Sequence, residues 1–225
     1  MTAVPVVFIP ALLCDEALYC DVIALLGDAI EPHVFVSPLP RLEDSVADIL
    51  ARAPERFALV GTSYGGNLAL EVALAAPSRV TALWLMGCDP AGPQAGGPDL
   101  PAGLRGAPEA VIGMLAGLVA HKDAEAAREK FKAMAARIGA EAGAAQATAL
   151  AARSEATSRL GALTMPVLAL WGEADALVPP AIGRALAAGV PDGRFHEIAG
   201  CGHLPTLEKP DEAAAQFRAL LARTR

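Results

Sequence analysis

Hydrophobic residues recur along the chain with two different periods, and this pattern predicts strands that alternate with helices. Short apolar runs rich in β-branched residues predict strands over residues 4–9, 33–36, 57–60, 80–86, 166–171 and 194–198. Apolar residues spaced three to four apart predict helices over residues 15–26, 42–53, 63–76, 180–188 and 210–223. Such alternation indicates right-handed crossovers and a mostly parallel sheet of about six strands with helices on both faces, an α/β fold.

The alternation stops between residues 90 and 160. Residues 89–108 are rich in Gly and Pro and predict a loop, whereas the Ala-rich residues 107–158 have helical periodicity and predict two or three helices. We therefore expect an α/β core of residues 1–89 and 161–225 with a short helical cap insertion of residues 90–160. Because ligands of open α/β sheets bind at the carboxyl ends of the strands, the cap is expected to cover a binding site.

Composition and charge narrow the range of partners. The chain is 54% apolar and 19% charged, which excludes a disordered protein, and no apolar run approaches the roughly 20 residues of a transmembrane helix. Its net charge is −7, with scattered acidic residues and no basic stripe. We therefore expect a small-molecule substrate, with neither nucleic acid nor a membrane as partner. Residues 1–10 carry no export signal, so a cytoplasmic location is expected. Oligomeric state is not defined by these features.

The four cysteines give no sign of a metal site. Cys14, Cys20, Cys88 and Cys201 have no zinc-type or Cys-x-x-Cys spacing, so free thiols and no metal are expected. No Lys follows the glycines of residues 61–66, which excludes a phosphate loop. We expect no cofactor.

The most informative motif is Gly-Thr-Ser-Tyr-Gly at residues 61–65. It follows a predicted strand directly and precedes a predicted helix directly, which is the context of a nucleophile elbow. The glycines allow the strand and helix to approach closely, and the sharp turn exposes the hydroxyl of Ser63. Ser63 is therefore the predicted nucleophile; the alternative is a Gly-rich turn in which the serine only caps the helix.

With this motif in this order of elements, the chain resembles the α/β-hydrolase family over nearly its whole length. A serine nucleophile needs a base, and His203 lies in a Gly-x-Gly-His loop between the last strand and the last helix, similar to the family's histidine loop. The resemblance also implies that Asp175, in a Gly-x-x-Asp turn after the penultimate strand, orients this base. Asp89, after the fourth strand, is the alternative acid, and Glu173 is a third candidate.

An acyl-transfer enzyme also needs hydrogen-bond donors for the developing oxyanion. The backbone N–H of Tyr64, the residue after the nucleophile, is one predicted donor. The other is the backbone N–H of Leu12, in the loop after the first strand. Members of the family often carry His-Gly before this donor, whereas this chain has Pro10 and Ala11.

These residues lead us to expect a serine hydrolase that cleaves an ester, lactone or thioester through an acyl-enzyme. The substrate is expected to be small and largely uncharged. Four residues of the cap are candidates for lining its pocket, and the favoured alternative for each is that it packs against the sheet: Met114, Leu115, Leu118 and Met134. Three alternatives stay open: a carbon–carbon bond hydrolase or perhydrolase with the same three residues, a non-catalytic ligand-binding protein of the same fold, and a thiol-dependent activity of Cys201 or Cys14.

Overall fold

The computed structural model describes residues 3–93 and 96–224, and it confirms the predicted α/β fold. The six strands are β1 (Val4–Ile9), β2 (Ile30–Val34), β3 (Phe57–Thr62), β4 (Val80–Met86), β5 (Val167–Gly172) and β6 (Gly193–Ile198). They form a single sheet in which every neighbouring pair is parallel.

The strand order is β2-β1-β3-β4-β5-β6, so the chain reverses its direction of travel across the sheet between β1 and β3. After β1 the chain moves outward to the edge strand β2, and it then returns to place β3 on the other side of β1. At such a switch point the loops leaving the two strands diverge and open a crevice. The loop after β1 and the turn after β3 therefore flank the position where a ligand is expected to bind.

Alternate residues of the strands pack into two hydrophobic cores, one on each face of the sheet. Val6 and Phe8 of β1 belong to one core, whereas Val7 and Ile9 belong to the other. This is the period of two that a pleated strand imposes on its side chains. The central strands β3 and β5 are buried along their whole length, as expected for a parallel sheet covered on both faces.

Helices cover both faces of the sheet. They are α1 (Cys20–Leu26), α2 (Leu42–Arg52), α3 (Tyr64–Ala75), α4 (Leu100–Gly106), α5 (Pro108–Leu118), α6 (Glu125–Ile138), α7 (Ala140–Ala151), α8 (Pro180–Ala188), α9 (Pro205–Glu208) and α10 (Pro210–Leu221). Helices α1 and α10 supply residues to the first core, and α2, α3 and α8 supply residues to the second. None of the described helices combines the length and apolar character needed to cross a membrane.

The structure corrects the predicted loop of residues 89–108, because α4 lies within it. Asp99 caps this helix by accepting a hydrogen bond from the backbone N–H of Ala102 at 3.0 Å, and Pro101 lies in its first turn. A capping Asp and an early Pro favour helix initiation, and here they outweigh the surrounding glycines. Residues 94 and 95 of the predicted loop lie outside the described residues.

Two other predicted boundaries also differ from the structure. Strand β2 begins at Ile30 rather than at residue 33, because it pairs with β1 from Val4 onward. Pro32 is compatible with this pairing, since β2 is an edge strand. The predicted helix of residues 15–26 is divided into a 3-10 turn, Glu16–Leu18, and α1; Asp15 caps the turn through the N–H of Ala17.

Candidate active site

Ser63 lies in the sharp bend between β3 and α3, at φ 56° and ψ −118°. A serine rarely adopts a positive φ, and strained backbone of this kind is concentrated at functional sites. Two glycines make the bend possible: a Cβ on Gly65 would lie 2.1 Å from the carbonyl oxygen of Ile9, and one on Gly61 would lie 2.3 Å from that of Gly65. The Ser63 N–H donates to the carbonyl of Met86 at 2.7 Å, which fixes the bend against the end of β4.

His203 lies in the loop after β6, and its imidazole ring packs against the backbone of Gly87. A Cβ at Gly87 would lie 2.6 Å from Cε1 of His203, and Gly87 itself has φ 56°. Only glycine therefore leaves room for the ring at this position. The backbone N–H of His203 donates to the carbonyl of Val119, at the end of α5, at 3.2 Å.

Glu208 holds the histidine loop in shape. Its carboxylate accepts hydrogen bonds from the backbone N–H groups of Gly202 at 2.9 Å, Leu204 at 3.2 Å and His121 at 2.8 Å. The first two flank His203, and the third joins the loop to the segment that follows α5. Sequence reasoning had assigned no role to Glu208, although Glu208, Lys209 and Pro210 belong to the segment that resembles the family's histidine loop.

Asp175 is the carboxylate that meets His203. Nδ1 of His203 donates to Oδ2 of Asp175 at 2.7 Å, and the two side chains are 2% and 1% exposed. Oδ1 of Asp175 accepts from the N–H groups of Leu177 and Val178, both at 2.9 Å. Both carboxylate oxygens are thus engaged, so the acid is fixed in orientation and holds the histidine in one tautomer.

The two other candidate acids have different partners. Asp89 accepts from the N–H of Ala91 at 2.9 Å, which is a local turn contact. Glu173 accepts from the N–H of Gly200 at 3.1 Å. In the part of the chain that the structure describes, neither carboxylate forms a hydrogen bond with His203.

Ser63 and His203 line one cavity of about 40 Å³. Nε2 of His203 is buried and has no hydrogen-bond partner among the described residues. Catalytic hydrogen bonds are often long in ligand-free enzymes and shorten in the substrate complex. The structure therefore places Ser63 and His203 at one cavity and pairs His203 with Asp175, so the three side chains predicted to act together are near one another.

Of the two predicted oxyanion donors, Leu12 lines this cavity and Tyr64 directly follows the cavity residue Ser63. Leu12 lies in a turn closed by a hydrogen bond from Cys14 N–H to the carbonyl of Ala11 at 3.0 Å. Leu13, in this turn, has φ 61°. Tyr64 is the first residue of α3, where backbone N–H groups have no partner within the helix.

Comparison with known proteins identifies the family of the chain. Residues 6–216 match the alpha/beta hydrolase family. The chain belongs to that family. Its predicted resemblance is confirmed, and the match extends from β1 into α10.

Relatives of this alpha/beta hydrolase have different substrates. A 2-hydroxy-6-oxononadienedioate/2-hydroxy-6-oxononatrienedioate hydrolase of Cupriavidus pinatubonensis is 31% identical over 170 residues, which cover 66% of this chain and 56% of that protein. A pimeloyl-[acyl-carrier protein] methyl ester esterase of Aromatoleum aromaticum is 28% identical over 194 residues, 78% of each chain. The enol-lactonase of Burkholderia xenovorans LB400 superposes with a TM-score of 0.89 at 18% identity, covering 99% of this chain and 92% of that one.

The cavity of this alpha/beta hydrolase is lined by apolar side chains apart from Ser63 and His203. Its other lining residues are Ala11, Leu12, Leu115, Val119, Phe131, Leu177 and Leu204. Of the four cap residues that are candidates for lining the pocket, only Leu115 does so.

Met114, Leu118 and Met134 do not line this cavity. Met114 is 47% exposed, Leu118 is half-buried away from this cavity, and Met134 is fully buried in the first core. The helical period identified an apolar face, but it could not show which of its residues pack against the core.

The two cysteines near the site are fully buried. Burial raises the pKa of both the Cys14 and the Cys201 thiol above the ordinary value, and neither residue lines the cavity. The thiolate is the nucleophilic form of cysteine, so both thiols are poor nucleophiles near neutral pH. Within residues 3–93 and 96–224, no cluster of three or more His, Cys, Asp or Glu residues is placed to hold a metal ion.

Proposed function

We propose that this alpha/beta hydrolase is a serine hydrolase that cleaves a carboxylic ester, or a related lactone or thioester, of a small and largely uncharged substrate. Ser63 is the nucleophile, His203 the base and Asp175 the acid that orients it. The observation that carries the proposal is the buried Asp175–His203 pair, whose histidine lines one cavity with the strained Ser63 and has no hydrogen-bond partner at Nε2 among the described residues.

The reaction follows from these contacts. Nε2 of His203 accepts the proton of the Ser63 hydroxyl as its oxygen attacks the acyl carbon. The resulting oxyanion accepts hydrogen bonds from the N–H groups of Leu12 and Tyr64. His203 then gives its proton to the leaving alcohol, which leaves an ester on Ser63. Water, deprotonated by the same histidine, attacks the acyl carbon of this ester. The bond to the Ser63 oxygen then breaks, His203 returns the proton to that oxygen, and the acid is released. Asp175 stabilises the imidazolium that forms in each half of the cycle.

The cavity supports a small, uncharged acyl group. Its volume of about 40 Å³ favours a small acyl group. Its lining includes no Lys or Arg that could pair with a carboxylate. An anionic group buried there would lose its hydration without compensation.

We also propose that residues 90–160 act as a cap on a core of residues 1–89 and 161–225. Three cavity residues, Leu115, Val119 and Phe131, belong to α5, its end and α6, and so come from the proposed cap. The cap thereby sets the size of the acyl pocket.

A carbon–carbon bond hydrolase is the second candidate, favoured by the 31% identity to the dienedioate hydrolase. That relative's name describes a substrate with two carboxylates, whereas the cavity of this chain is apolar. A neutral analogue of a 2-hydroxy-6-oxo-dienoate, assayed beside a short ester, tests this candidate. Faster cleavage of the carbon–carbon bond than of the ester would favour it.

Substitution of Ser63 tests the proposed function directly. With a 4-nitrophenyl butyrate substrate, we expect Ser63→Ala to lower kcat by at least roughly 10³-fold, because loss of the nucleophile removes the acyl-enzyme route. It should also abolish labelling by a fluorophosphonate probe. Ser158→Ala, which removes an exposed hydroxyl, is the matched control and should leave both unchanged.

Two results would reject this proposal. More than a tenth of the wild-type kcat in Ser63→Ala would show that another group carries the reaction. The non-catalytic alternative would be favoured if the folded wild-type protein is not labelled by the probe and turns over none of a panel of esters, lactones and thioesters.

A further inference from the structure

Gln146 is a buried polar residue of α7 for which the proposed reaction has no role. Its side chain is 1% exposed, and both ends of its amide form hydrogen bonds. Oε1 accepts from the N–H of Leu13 at 3.0 Å, and Nε2 donates to the carbonyl of Ser37 at 3.2 Å. These partners lie 133 and 109 residues away in the sequence, on two different loops.

The first contact holds the turn that carries Leu12. Residues 11–14 form a β-turn closed from Cys14 to Ala11, and Leu13 occupies the position with positive φ, where glycine is usually found. Leucine disfavours this conformation, so the turn needs support from outside. The acceptor on Gln146 supplies that support, because it binds the N–H of Leu13, which the hydrogen bond that closes the turn does not use.

The second contact leads to the other proposed oxyanion donor. The carbonyl of Ser37 accepts from Nε2 of Gln146 and also from the hydroxyl of Tyr64 at 3.4 Å. The backbone N–H of Tyr64 is the second donor in the proposed reaction. Gln146 therefore binds the turn of Leu12 directly and is linked to the side chain of Tyr64 through the shared carbonyl of Ser37.

Two neighbouring contacts of the same helical segment reinforce the first loop. A Cβ on Gly143, one turn before Gln146, would lie 2.4 Å from Cδ2 of Leu13, so the absence of a side chain there makes room for Leu13. Arg137 of α6 donates from Nε and Nη2 to the two oxygens of Asp15, at 2.6 and 3.0 Å. The segment α6–α7 thus contacts the loop at three successive points.

From these contacts we infer that Gln146 is a positioning residue, which sets the spacing of the two oxyanion donors, Leu12 and Tyr64, from within the helical segment. The inference rests on the proposed function. It makes the segment of α6 and α7 part of the apparatus that stabilises the transition state, in addition to being a wall of the pocket.

Substitution of Gln146 tests the inference. In Gln146→Met, which has a similar volume and no strong acceptor, we expect kcat for 4-nitrophenyl butyrate to fall by roughly 10²-fold, since a misplacement of about 1 Å at a reacting centre costs that much. KM should change by less than about threefold, because donors that act on the oxyanion contribute little to ground-state binding. Gln146→Asn, whose side chain is one methylene shorter, should lower kcat in the same way with little change in KM. It replaces the Met variant if that variant does not fold.

A transition-state analogue separates a positioning role from a merely structural one. A trifluoromethyl ketone forms an oxyanion on the nucleophile, so its affinity should fall by the same factor as kcat in Gln146→Met. Gln146→Glu should recover at least about tenfold of the loss, because a buried carboxyl tends to stay protonated and then offers both an acceptor and a donor. Thr148→Val, which removes a hydroxyl bonded only within α7, is the control and should leave kcat and inhibitor affinity unchanged.

Parallel assays of Ser63→Ala distinguish the two proposals. The role of Gln146 alone would be overturned if Ser63→Ala is inactive while a folded Gln146→Met or Gln146→Asn protein keeps kcat within about threefold of wild type. A kcat loss without loss of inhibitor affinity would also overturn it. Full activity of Ser63→Ala would overturn the proposed function and this inference with it.

Discussion

At the scale of single residues, the site depends on how completely Asp175 is bound. One oxygen receives the histidine, and the other receives two backbone N–H groups from the turn that follows. A carboxylate held at both oxygens cannot rotate away from the imidazole, so the ring stays aligned with the cavity. Burying a carboxylate costs free energy of desolvation, and in Asp175 these hydrogen bonds offset that cost and fix the orientation of His203.

Substitution of the two candidate acids provides a sharp comparison. We expect Asp175→Asn to lower kcat by roughly 10³–10⁴-fold, because an amide can donate to Nδ1 and so favours the wrong tautomer of His203. Asp89→Asn should remain near wild type, since Asp89 contacts only the turn at Ala91. Steady-state kinetics on both variants, with circular dichroism as a check of folding, measures the difference. The reverse ranking would assign the acid to Asp89.

The sequence predicted those residues whose signal is local and did not predict those whose partners are distant. Ser63 is a candidate from the sequence because its glycines and its strand–helix context are adjacent in the chain, and His203 is one because it lies in a recognisable loop. Gln146 stands in an Ala-rich helix with nothing beside it to mark it. Its partners become neighbours only when the chain has folded, so no local pattern could have identified it.

At the scale of secondary-structure elements, the errors of prediction have two causes: strand pairing set the start of β2, and helix capping started α4. The interiors of the strands were predicted well, because burial on both faces leaves a continuous apolar run. Strand β2 was placed too late because its start is set by pairing with β1, and α4 was missed because Gly and Pro are typical of loops. Asp99 followed by Pro101 was the signal that could have revealed α4.

The ion pair between Asp15 and Arg137 links α6 to the loop after β1, and its effect on stability should depend on pH. Burial raises the pKa of Asp15, but hydrogen bonds from Arg137 and from the N–H of Ala17 outweigh burial, so the pKa lies below its usual value. A pKa lowered by folding means that the carboxylate stabilises the fold above the unfolded-chain value of about 3.9. That contribution is lost as the pH falls through the lower, folded value.

Urea unfolding of Asp15→Asn measures this contribution. We expect wild type to exceed the variant in free energy of unfolding by a constant amount from about pH 7 to about pH 5, and the difference to shrink below about pH 4. Asp28→Asn, at an exposed aspartate of the turn Gly27–Ala29, is the matched control and should change stability little at any of these pH values. A difference between wild type and Asp15→Asn that grows toward acid pH would contradict the assignment.

At the scale of the whole molecule, the site is assembled from three separate parts of the chain. Leu12 and Ser63 come from the loops at the switch point between β1 and β3, whereas Asp175 and His203 follow β5 and β6. The helical segment between β4 and β5 supplies the apolar cover and Gln146. Sequence reasoning could predict the first two parts from motifs at strand ends, but the contribution of the third depends on packing. The proposed substrate class rests on two whole-molecule properties, the small apolar cavity and the net charge of −7.

Net charge predicts how substrate charge affects the rate. The chain has 25 acidic and 18 basic residues, and the cavity lining contains neither kind. An anionic ester, such as a monoester of succinate, is therefore repelled on approach and unpaired on binding, whereas methyl butyrate, the neutral control, meets neither barrier. Raising ionic strength from about 0.01 to about 0.1 M shortens the Debye length from about 30 to about 10 Å, so kcat/KM for the anionic ester should rise about twofold or more while that for methyl butyrate stays constant. Stopped-flow or pH-stat assays at both ionic strengths measure how kcat/KM of each ester depends on salt.

The opposite result would be faster turnover of the anionic ester at low salt, with a rate that falls as salt is added. It would indicate a cationic group at the mouth of the site, and it would favour substrates with carboxylates like those in the name of the dienedioate hydrolase.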